Sequence, residues 1–104
     1  MIIQFNTDKI VNGDKKTQDY FTAQIDRKLS HFKSDITRIE VHISDQNGIK
    51  DEKNDISCLL EARLKGRQPM AVSYQDDTIE LAVSGAIEKL LAALTTLLGR
   101  LKNH

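Results

Sequence analysis

The sequence contains few of the residues on which disulfide-rich domains and redox sites depend. Among 104 residues it has one cysteine, one proline and no tryptophan, and its aromatic residues are three Phe and two Tyr. The single cysteine, Cys58, cannot form an internal disulfide, which excludes a disulfide framework. Because Cys58 lies in a stretch of alternating apolar and polar residues, we interpret it as a small apolar core residue and not as a nucleophile.

An excess of charge of either sign is also absent. Fifteen basic residues balance fifteen acidic residues, so the net charge is zero when histidine is neutral. This balance excludes a field strong enough to gather nucleic acid over the whole surface. Any site for a polyanion has to be a local patch.

Targeting signals and long apolar runs are not evident. No cationic flank precedes an apolar segment at the N-terminus, and no stretch approaches the ~20 apolar residues needed to cross a membrane. We therefore expect a cytoplasmic protein without membrane contact. The length predicts a single domain over residues 1–104.

Motifs for metals, cofactors and catalysis are missing. There is no Cys-x-x-Cys pair, His-Glu-x-x-His helix, phosphate-binding glycine loop or dinucleotide fingerprint. His31, His42 and His104 are scattered, which gives no metal-ligand spacing. Helix capping explains the adjacent carboxylates Asp76 and Asp77 without a catalytic partner. We therefore expect no metal, no cofactor and no enzyme activity.

Alternation with a period of two predicts the first three strands. Apolar residues alternate with polar ones over residues 39–43 and 56–64, and more briefly over 2–6. The polar members predicted to line an open, solvated sheet face are Glu40, His42, Ser44, Glu61, Arg63 and Lys65.

Turn residues separate these strands and introduce a fourth. Residues 45–55 contain turn residues and almost nothing to bury, which predicts a mobile hairpin tip. Gly66 and Arg67 form a candidate two-residue turn, and the fourth strand is predicted over 68–74. Pro69 favours a position at the edge of the sheet for this strand.

Apolar spacing of three and four residues predicts two amphipathic helices. The first is predicted over about 14–33, and its core positions are Phe21, Ile25, Leu29 and Phe32. A capping box of Asp77 and Glu80 opens the second helix, which runs almost to the C-terminus. Its apolar seam consists of Val83, Ile87, Leu90, Leu94, Leu97 and Leu101. We expect this seam to pack lengthwise along the first helix.

The element order β-α-β-β-β-α predicts an α+β fold. It allows a single strand-helix-strand crossover, which makes the first two strands parallel, and two hairpins, which make the other pairs antiparallel. We therefore expect a four-stranded mixed sheet with the two helices packed on one face.

Cationic side chains gather on exposed flanks of both predicted helices. They are Arg27, Lys28 and His31 on one flank of the first helix, Lys89 and Arg100 on one flank of the last, and Lys102 on the opposite flank of the last. Packed helices could bring such flanks together along a groove, where Lys and Arg contact phosphates and recognise the shape of a structured RNA. The alternative is that these residues are ordinary solubilising charges.

Leu91 and Leu98 are seven residues apart, to one side of the apolar seam. Exposed together, they would form a second apolar stripe that could pair with the same helix of another copy. The stripe therefore predicts a weak homodimer through the last helix. The alternative is that the first helix covers both leucines.

The order of elements and several segments resemble the ribosome hibernation-promoting and ribosome-associated inhibitor proteins, also called sigma-54 modulation proteins. The resemblance covers nearly the whole chain. It is carried by Gly-Ala-Ile-Glu-Lys-Leu at 85–90 and by the segments 20–23, 29–32, 36–48 and 61–69.

This resemblance implies a translation regulator that acts by binding. It implies a ribosome-associated, rRNA-binding stress-response protein that occupies the small ribosomal subunit between head and body and silences idle ribosomes. By position, Lys89, Arg100 and Lys102 match basic residues of the family's last helix, and Arg27 or Lys28 matches its basic first helix. The chain ends at His104 without the extension of long-form members, so it resembles the short form.

The sequence also departs from the family's pattern in the last helix. Ala92, Thr96 and Leu98 stand where family members often carry Arg or Lys. The alternative reading of the chain is a non-catalytic protein-protein interaction module that kept the fold and lost most of its rRNA-binding surface.

Overall fold

The elements of the structure follow the periods of the sequence. The computed structural model describes residues 1–6, 15–45 and 56–99. Within these residues the strands are β1 Ile2–Phe5, β2 Ile36–Asp45, β3 Ile56–Leu64 and β4 Met70–Asp76, and the α-helices are α1 Lys15–Lys28 and α2 Ile79–Leu94. A 3₁₀ turn, Ser30–Phe32, follows α1, and a π-helical turn, Thr95–Gly99, follows α2. The predicted mobile tip between β2 and β3 lies outside the described residues.

The strands form one mixed sheet in the order β1-β2-β3-β4. β1 is parallel to β2, as the crossover through α1 requires, and the other two pairs are antiparallel. The register sets Ile39 opposite Ala62 and Leu60 opposite Val72, so apolar side chains of neighbouring strands share one face. β4 is an edge strand, as Pro69 predicted. The predicted α+β fold with a four-stranded mixed sheet is confirmed.

One hydrophobic core fills the space between the sheet and the helices. The predicted face of the first helical segment is buried, with Phe21, Ile25, Leu29 and Phe32 at most 3% exposed. The α-helix itself ends at Lys28, earlier than predicted, and the 3₁₀ turn carries Phe32 into the core. Cys58 is fully buried in β3, and desolvation by burial raises the pKa of its thiol to about 12. Its predicted packing role is confirmed.

The N-terminus of α2 differs by one residue from the prediction. Thr78 is the N-cap, and its hydroxyl accepts a hydrogen bond from the backbone N–H of Leu81 at 3.2 Å. Asp76 instead accepts from the backbone N–H of Asp77 at 2.7 Å. The predicted Asp77 and Glu80 capping box is therefore wrong, because Thr78 supplies the same acceptor one position later.

The long apolar seam of α2 packs on the sheet. The helix contacts β3 and β4 extensively and α1 much less, so the predicted lengthwise packing on α1 is wrong. The inner face of β3 and β4 is apolar and has to be covered, and α2 is the element that covers it. By length and composition alone the stretch Ile79–Gly99 could cross a membrane, contrary to the expectation that no stretch is long and apolar enough to do so. A core helix has the same composition, and Ala82, Val83, Ala86, Ile87, Leu90 and Leu94 are buried.

The π-helical turn changes which leucine ends the seam. Leu98 is buried, at 5% exposed, whereas Leu97 is half-buried. A π turn holds more residues than the 3.6 of an α turn, so position 98 follows Leu94 on the core side. The predicted exposure of Leu98 is wrong, and the homodimer prediction loses the observation on which it rested. Leu101 lies outside the described residues.

The connection between β3 and β4 is longer than the predicted two-residue turn. The last paired residues are Ala62 and Met70, and residues 65–69 connect the strands. Gly66 has a φ of 67°, in the left-handed region that favours glycine, as the turn prediction required. Lys65 lies in this turn and not on the open sheet face where it was predicted.

Gly85 makes room for an aromatic ring between α2 and the sheet. A Cβ atom at position 85 would overlap the Tyr74 ring, which packs directly against the helix. An alanine inside a helix is ordinarily about 1 kcal/mol more favourable than glycine. Here Gly85→Ala is expected to lower the free energy of unfolding by about 1 to 3 kcal/mol, because the overpacked ring has to move. Chemical denaturation measures this change.

A double-mutant cycle separates this overlap from other effects of the substitution. In the Tyr74→Ser background the same Gly85→Ala change is expected to be neutral or stabilising. Ser84→Ala, on the exposed neighbouring position, is the control and is expected to have little effect. Gly85→Ala with unchanged stability in both backgrounds would contradict the close packing of Tyr74.

Candidate nucleic-acid interface

Three of the predicted RNA-binding residues lie together at the C-terminal end of α1. Arg27 and Lys28 occupy its last turn, and His31 follows in the 3₁₀ turn. All three are exposed, because the opposite side of the same segment is fixed in the core by Leu29 and Phe32. Cations are favourable at this end of a helix, where the backbone carbonyls point outward. We call Arg27, Lys28 and His31 the α1 cluster.

Acidic neighbours partly neutralise this cluster. The ammonium group of Lys28 lies 3.9 Å from a carboxylate oxygen of Glu88 on α2, and the Lys28 side chain is 44% exposed. Asp26 pairs instead with Lys33, at 3.3 Å. Arg27 has no acidic partner within 4 Å in the described part of the chain. The cluster therefore keeps at least one cation ready for an external anion.

Lys89 lies on the other side of α2, away from the α1 cluster. Its ammonium group donates a hydrogen bond to the backbone carbonyl of Ser73 on β4 at 2.9 Å and lies 6.0 Å from the centre of the Tyr74 ring. Glu88, one residue earlier, is the side chain that faces α1. The structure therefore does not bring Lys89 to the α1 cluster, and its role as an RNA contact stays a prediction.

The remaining two predicted RNA-binding residues, Arg100 and Lys102, lie outside the described residues. Their assignment also stays a prediction.

Two exposed cations that were not assigned to RNA lie near the α1 cluster. Lys65 and Arg67 belong to the turn between β3 and β4. The backbone N–H of Lys65 donates to the carbonyl of Asp35 at 3.0 Å, just after the 3₁₀ turn. The predicted antiparallel pairing of β2 and β3 could have shown this proximity. The pairing sets Ile36, at the start of β2, opposite Leu64, at the end of β3.

The open face of the sheet carries a balanced charge network. Glu40, whose side chain is 15% exposed, is the centre of this network. Its carboxylate lies 3.7 Å from Arg38, 3.4 Å from Arg63 and 3.7 Å from His42. Arg63 also contacts Glu61 at 3.4 Å. Each arginine therefore has an acidic neighbour, and this face offers less to a polyanion than the end of α1.

Sites for other chemistry do not assemble in the described residues. No group of three or more His, Cys, Asp and Glu side chains that could hold a metal occurs in residues 1–6, 15–45 and 56–99. An open groove separates the first turns of the helices, and its lining consists of Lys16, Thr17, Tyr20, Phe21, Thr78, Ile79 and Glu80. Its lining is mainly apolar and includes one lysine and one glutamate.

Comparison with known proteins identifies the fold. No family model matches the sequence, and no curated protein matches it. Among solved structures, the Thermus thermophilus Protein Y N-terminal domain superimposes with a TM-score of 0.72 and 15% identity, over 93% of this chain and 99% of that chain. A ribosomal subunit interface protein from Coxiella burnetii superimposes with a TM-score of 0.70 and 18% identity, over 93% and 97%. The resemblance noted in the sequence is thus confirmed in the fold, which this chain shares with both proteins over nearly its whole length.

Proposed function

We propose that the protein binds the small ribosomal subunit through rRNA phosphate contacts and keeps idle ribosomes from translating. The observation that carries this proposal is the shared fold, because one of the two similar structures is named as a ribosomal subunit interface protein. A shared fold alone does not define a function. The position and exposure of the α1 cluster supply the second argument.

The α1 cluster suits a phosphate backbone. Arg27 and Lys28 present charged groups from a rigid helix end, and their positions are fixed by the buried residues on the reverse side. Lys and Arg neutralise phosphates without reading bases, so contacts of this kind recognise the shape of a folded RNA. Lys89, Arg100 and Lys102 remain proposed contacts. In this proposal no bond is made or broken, and the cytoplasm is the site of action.

Sedimentation through a density gradient tests this function. In a lysate from starved cells, the tagged protein is expected to migrate with small subunits or whole ribosomes at low salt. It is expected to be released as the salt concentration rises from about 50 to 200 mM, because bound phosphates regain their counterions. Protein that stays at the top of the gradient at low salt would contradict the proposal.

A second candidate is a protein-protein interaction module of the same fold. Two contacts favour it, because Lys28 is paired with Glu88 and Lys89 is bonded to the carbonyl of Ser73. Cations used within the molecule contribute less to an external polyanion. In that case ribosome binding is lost and another protein is the partner.

The variant Glu88→Gln distinguishes the two candidates. It removes a carboxylate 3.9 Å from the Lys28 ammonium group and leaves the exposed helix position otherwise similar. If the α1 cluster binds rRNA, affinity for small subunits is expected to rise severalfold at low salt, since a repulsive charge is gone. Glu80→Gln, in the first turn of α2, is the matched control. Absence of subunit binding by both Glu88→Gln and wild type would favour the interaction module, whereas equal, measurable affinity of the two would place the contact with rRNA away from Lys28.

A further inference from the structure

The turn between β3 and β4 lies at the same end of the molecule as the α1 cluster. Two backbone hydrogen bonds connect them: Lys65 N–H donates to the Asp35 carbonyl at 3.0 Å, and Asp35 N–H donates to the Phe32 carbonyl at 2.9 Å. The turn also borders the π-helical turn that follows α2, where Gly66, Arg67 and Gln68 line a groove with Leu97. Three elements therefore converge at this end.

Cations outnumber acidic residues around this turn. Lys65 and Arg67 are exposed, and neither has an acidic partner within 4 Å in the described part of the chain. The sequence contains no Asp or Glu between Glu61 and Asp76, and none after Glu88. The opposite end of the molecule carries Asp76, Asp77 and Glu80 instead, where β4 meets α2.

This uneven distribution gives a neutral chain a local field. Charges that cancel in the total still act separately when they lie at opposite ends, because screening limits their reach to about 8 to 10 Å. An anion near the turn is therefore attracted by Lys65 and Arg67, and the acidic residues at the other end contribute little.

The surface of this end favours a phosphate backbone over a protein partner. Protein interfaces depend on buried aromatic and apolar anchors. The exposed large apolar residues of the described chain are Ile2, Tyr20, Leu59, Tyr74 and Leu81, and none of them belongs to the turn. The turn offers two cations with Gly66, Gln68 and Pro69, all exposed. Long cationic side chains on a polar turn suit contacts to phosphates.

We propose that Lys65 and Arg67 form a second contact point of the interface and bind RNA phosphates beside those bound by the α1 cluster. This inference rests on the proposed function for the identity of the RNA. It extends the interface from a helix end to the adjacent sheet turn, so that one stretch of RNA backbone is held at two places.

The test compares wild-type protein with Lys65→Glu/Arg67→Glu. The control, Lys15→Glu/Lys16→Glu, makes the same charge change at the far end of α1, where both lysines are exposed. Melting curves establish that each variant is folded. The probes are a mixed-sequence RNA duplex and purified small ribosomal subunits, each titrated with protein at several salt concentrations.

The loss of two phosphate contacts has a defined effect on the salt dependence of RNA binding. For the turn variant, the slope of log affinity against log salt concentration is expected to become shallower by about 1.4 to 1.8 with both probes. The control is expected to keep the wild-type slope. A turn variant with the wild-type slope and affinity overturns the inference, and if the wild type binds subunits, the proposed function stands without it.

Failure of the proposed function gives a different result from failure of this inference. Wild-type protein that binds the duplex with the expected dependence on the turn, but does not bind subunits, overturns the proposed function and supports the phosphate site. Wild-type protein that binds neither probe overturns both.

Discussion

Reversing two charges at the end of α1, with Arg27→Glu and Lys28→Glu, is expected to abolish co-sedimentation with ribosomes and inhibition of cell-free translation. Each substitution replaces an attraction for phosphate with a repulsion at the helix end that the proposal places against the RNA. Exposed substitutions usually change stability by less than ~0.5 kcal/mol each. Acidic residues at a helix C-terminus add about 0.3 to 1 kcal/mol of unfavourable free energy. The variant is therefore expected to fold, as a melting curve checks.

The matched control for this reversal is Lys15→Glu/Lys16→Glu on the same helix. Both lysines are exposed, and Lys15 already pairs with Asp19 at 3.5 Å. This control changes the net charge equally and is expected to keep ribosome binding. If the Arg27 and Lys28 variant is folded and still binds and inhibits like the wild type, the end of α1 is not the binding site.

Leu98→Glu is expected to destabilise the protein strongly. Leu98 is 5% exposed and belongs to the same core as Leu94 and Leu90. Deleting a buried leucine side chain costs about 2 to 5 kcal/mol, and a carboxylate left in its place adds a desolvation cost unless the last turn unwinds. Denaturant unfolding monitored by circular dichroism measures the loss.

Thr96→Glu, two positions earlier in the π-helical turn, is the control. Thr96 is exposed, so the same carboxylate is expected to change stability by about 0.5 kcal/mol or less. Equal stability of the two variants would contradict the burial of Leu98. It would also restore the exposed stripe of Leu91 and Leu98 from which a homodimer was predicted.

The fold could be predicted because the spacing of apolar residues that defines each strand and helix is visible locally in the sequence. The alternation over β2 and β3 and the spacing of Phe21, Ile25 and Leu29 are visible within a few residues, and each is set by burial on one side. With a single crossover and two hairpins, few sheet topologies remain. The sheet order and the face that carries the helices followed from these constraints.

Details decided by packing between distant elements could not be predicted. The choice of Leu98 over Leu97 depends on the π-helical turn, at whose first residue the hydroxyl of Thr95 donates to the Leu91 carbonyl of α2 at 2.8 Å. Helical spacing leaves both leucines near the seam. The surface that α2 covers depends on which part of the sheet is left uncovered by other elements. The sequence of the helix does not specify that part.

The candidate site likewise has one feature that the sequence predicts and others that depend on packing between distant elements. The exposure of Arg27 and Lys28 follows from the position of the apolar seam on the same helix. The carbonyl of Ser73 that accepts from Lys89 belongs to a strand sixteen positions away, so a helical wheel could not identify this contact. The proximity of Lys65 to the 3₁₀ turn depends on strand pairing, and a view of helices alone missed it.

The buried thiol of Cys58 makes a direct test of the interface possible. This cysteine is fully buried and its thiol pKa is raised to about 12, so it reacts poorly with alkylating reagents. A cysteine introduced at an exposed position therefore becomes the reactive one. Ser30→Cys lies within the segment of the α1 cluster, and Gln75→Cys lies on the open sheet face, opposite Ser57.

The decisive measurement attaches a photoreactive cross-linker to each introduced cysteine and identifies what it reaches in a complex with purified small subunits. Ser30→Cys is expected to cross-link to small-subunit rRNA and Gln75→Cys far less, with cross-linking lost as the salt concentration rises. Cross-links to rRNA from Gln75→Cys and none from Ser30→Cys, in a complex that co-sediments, would contradict the claim that the end of α1 faces the RNA.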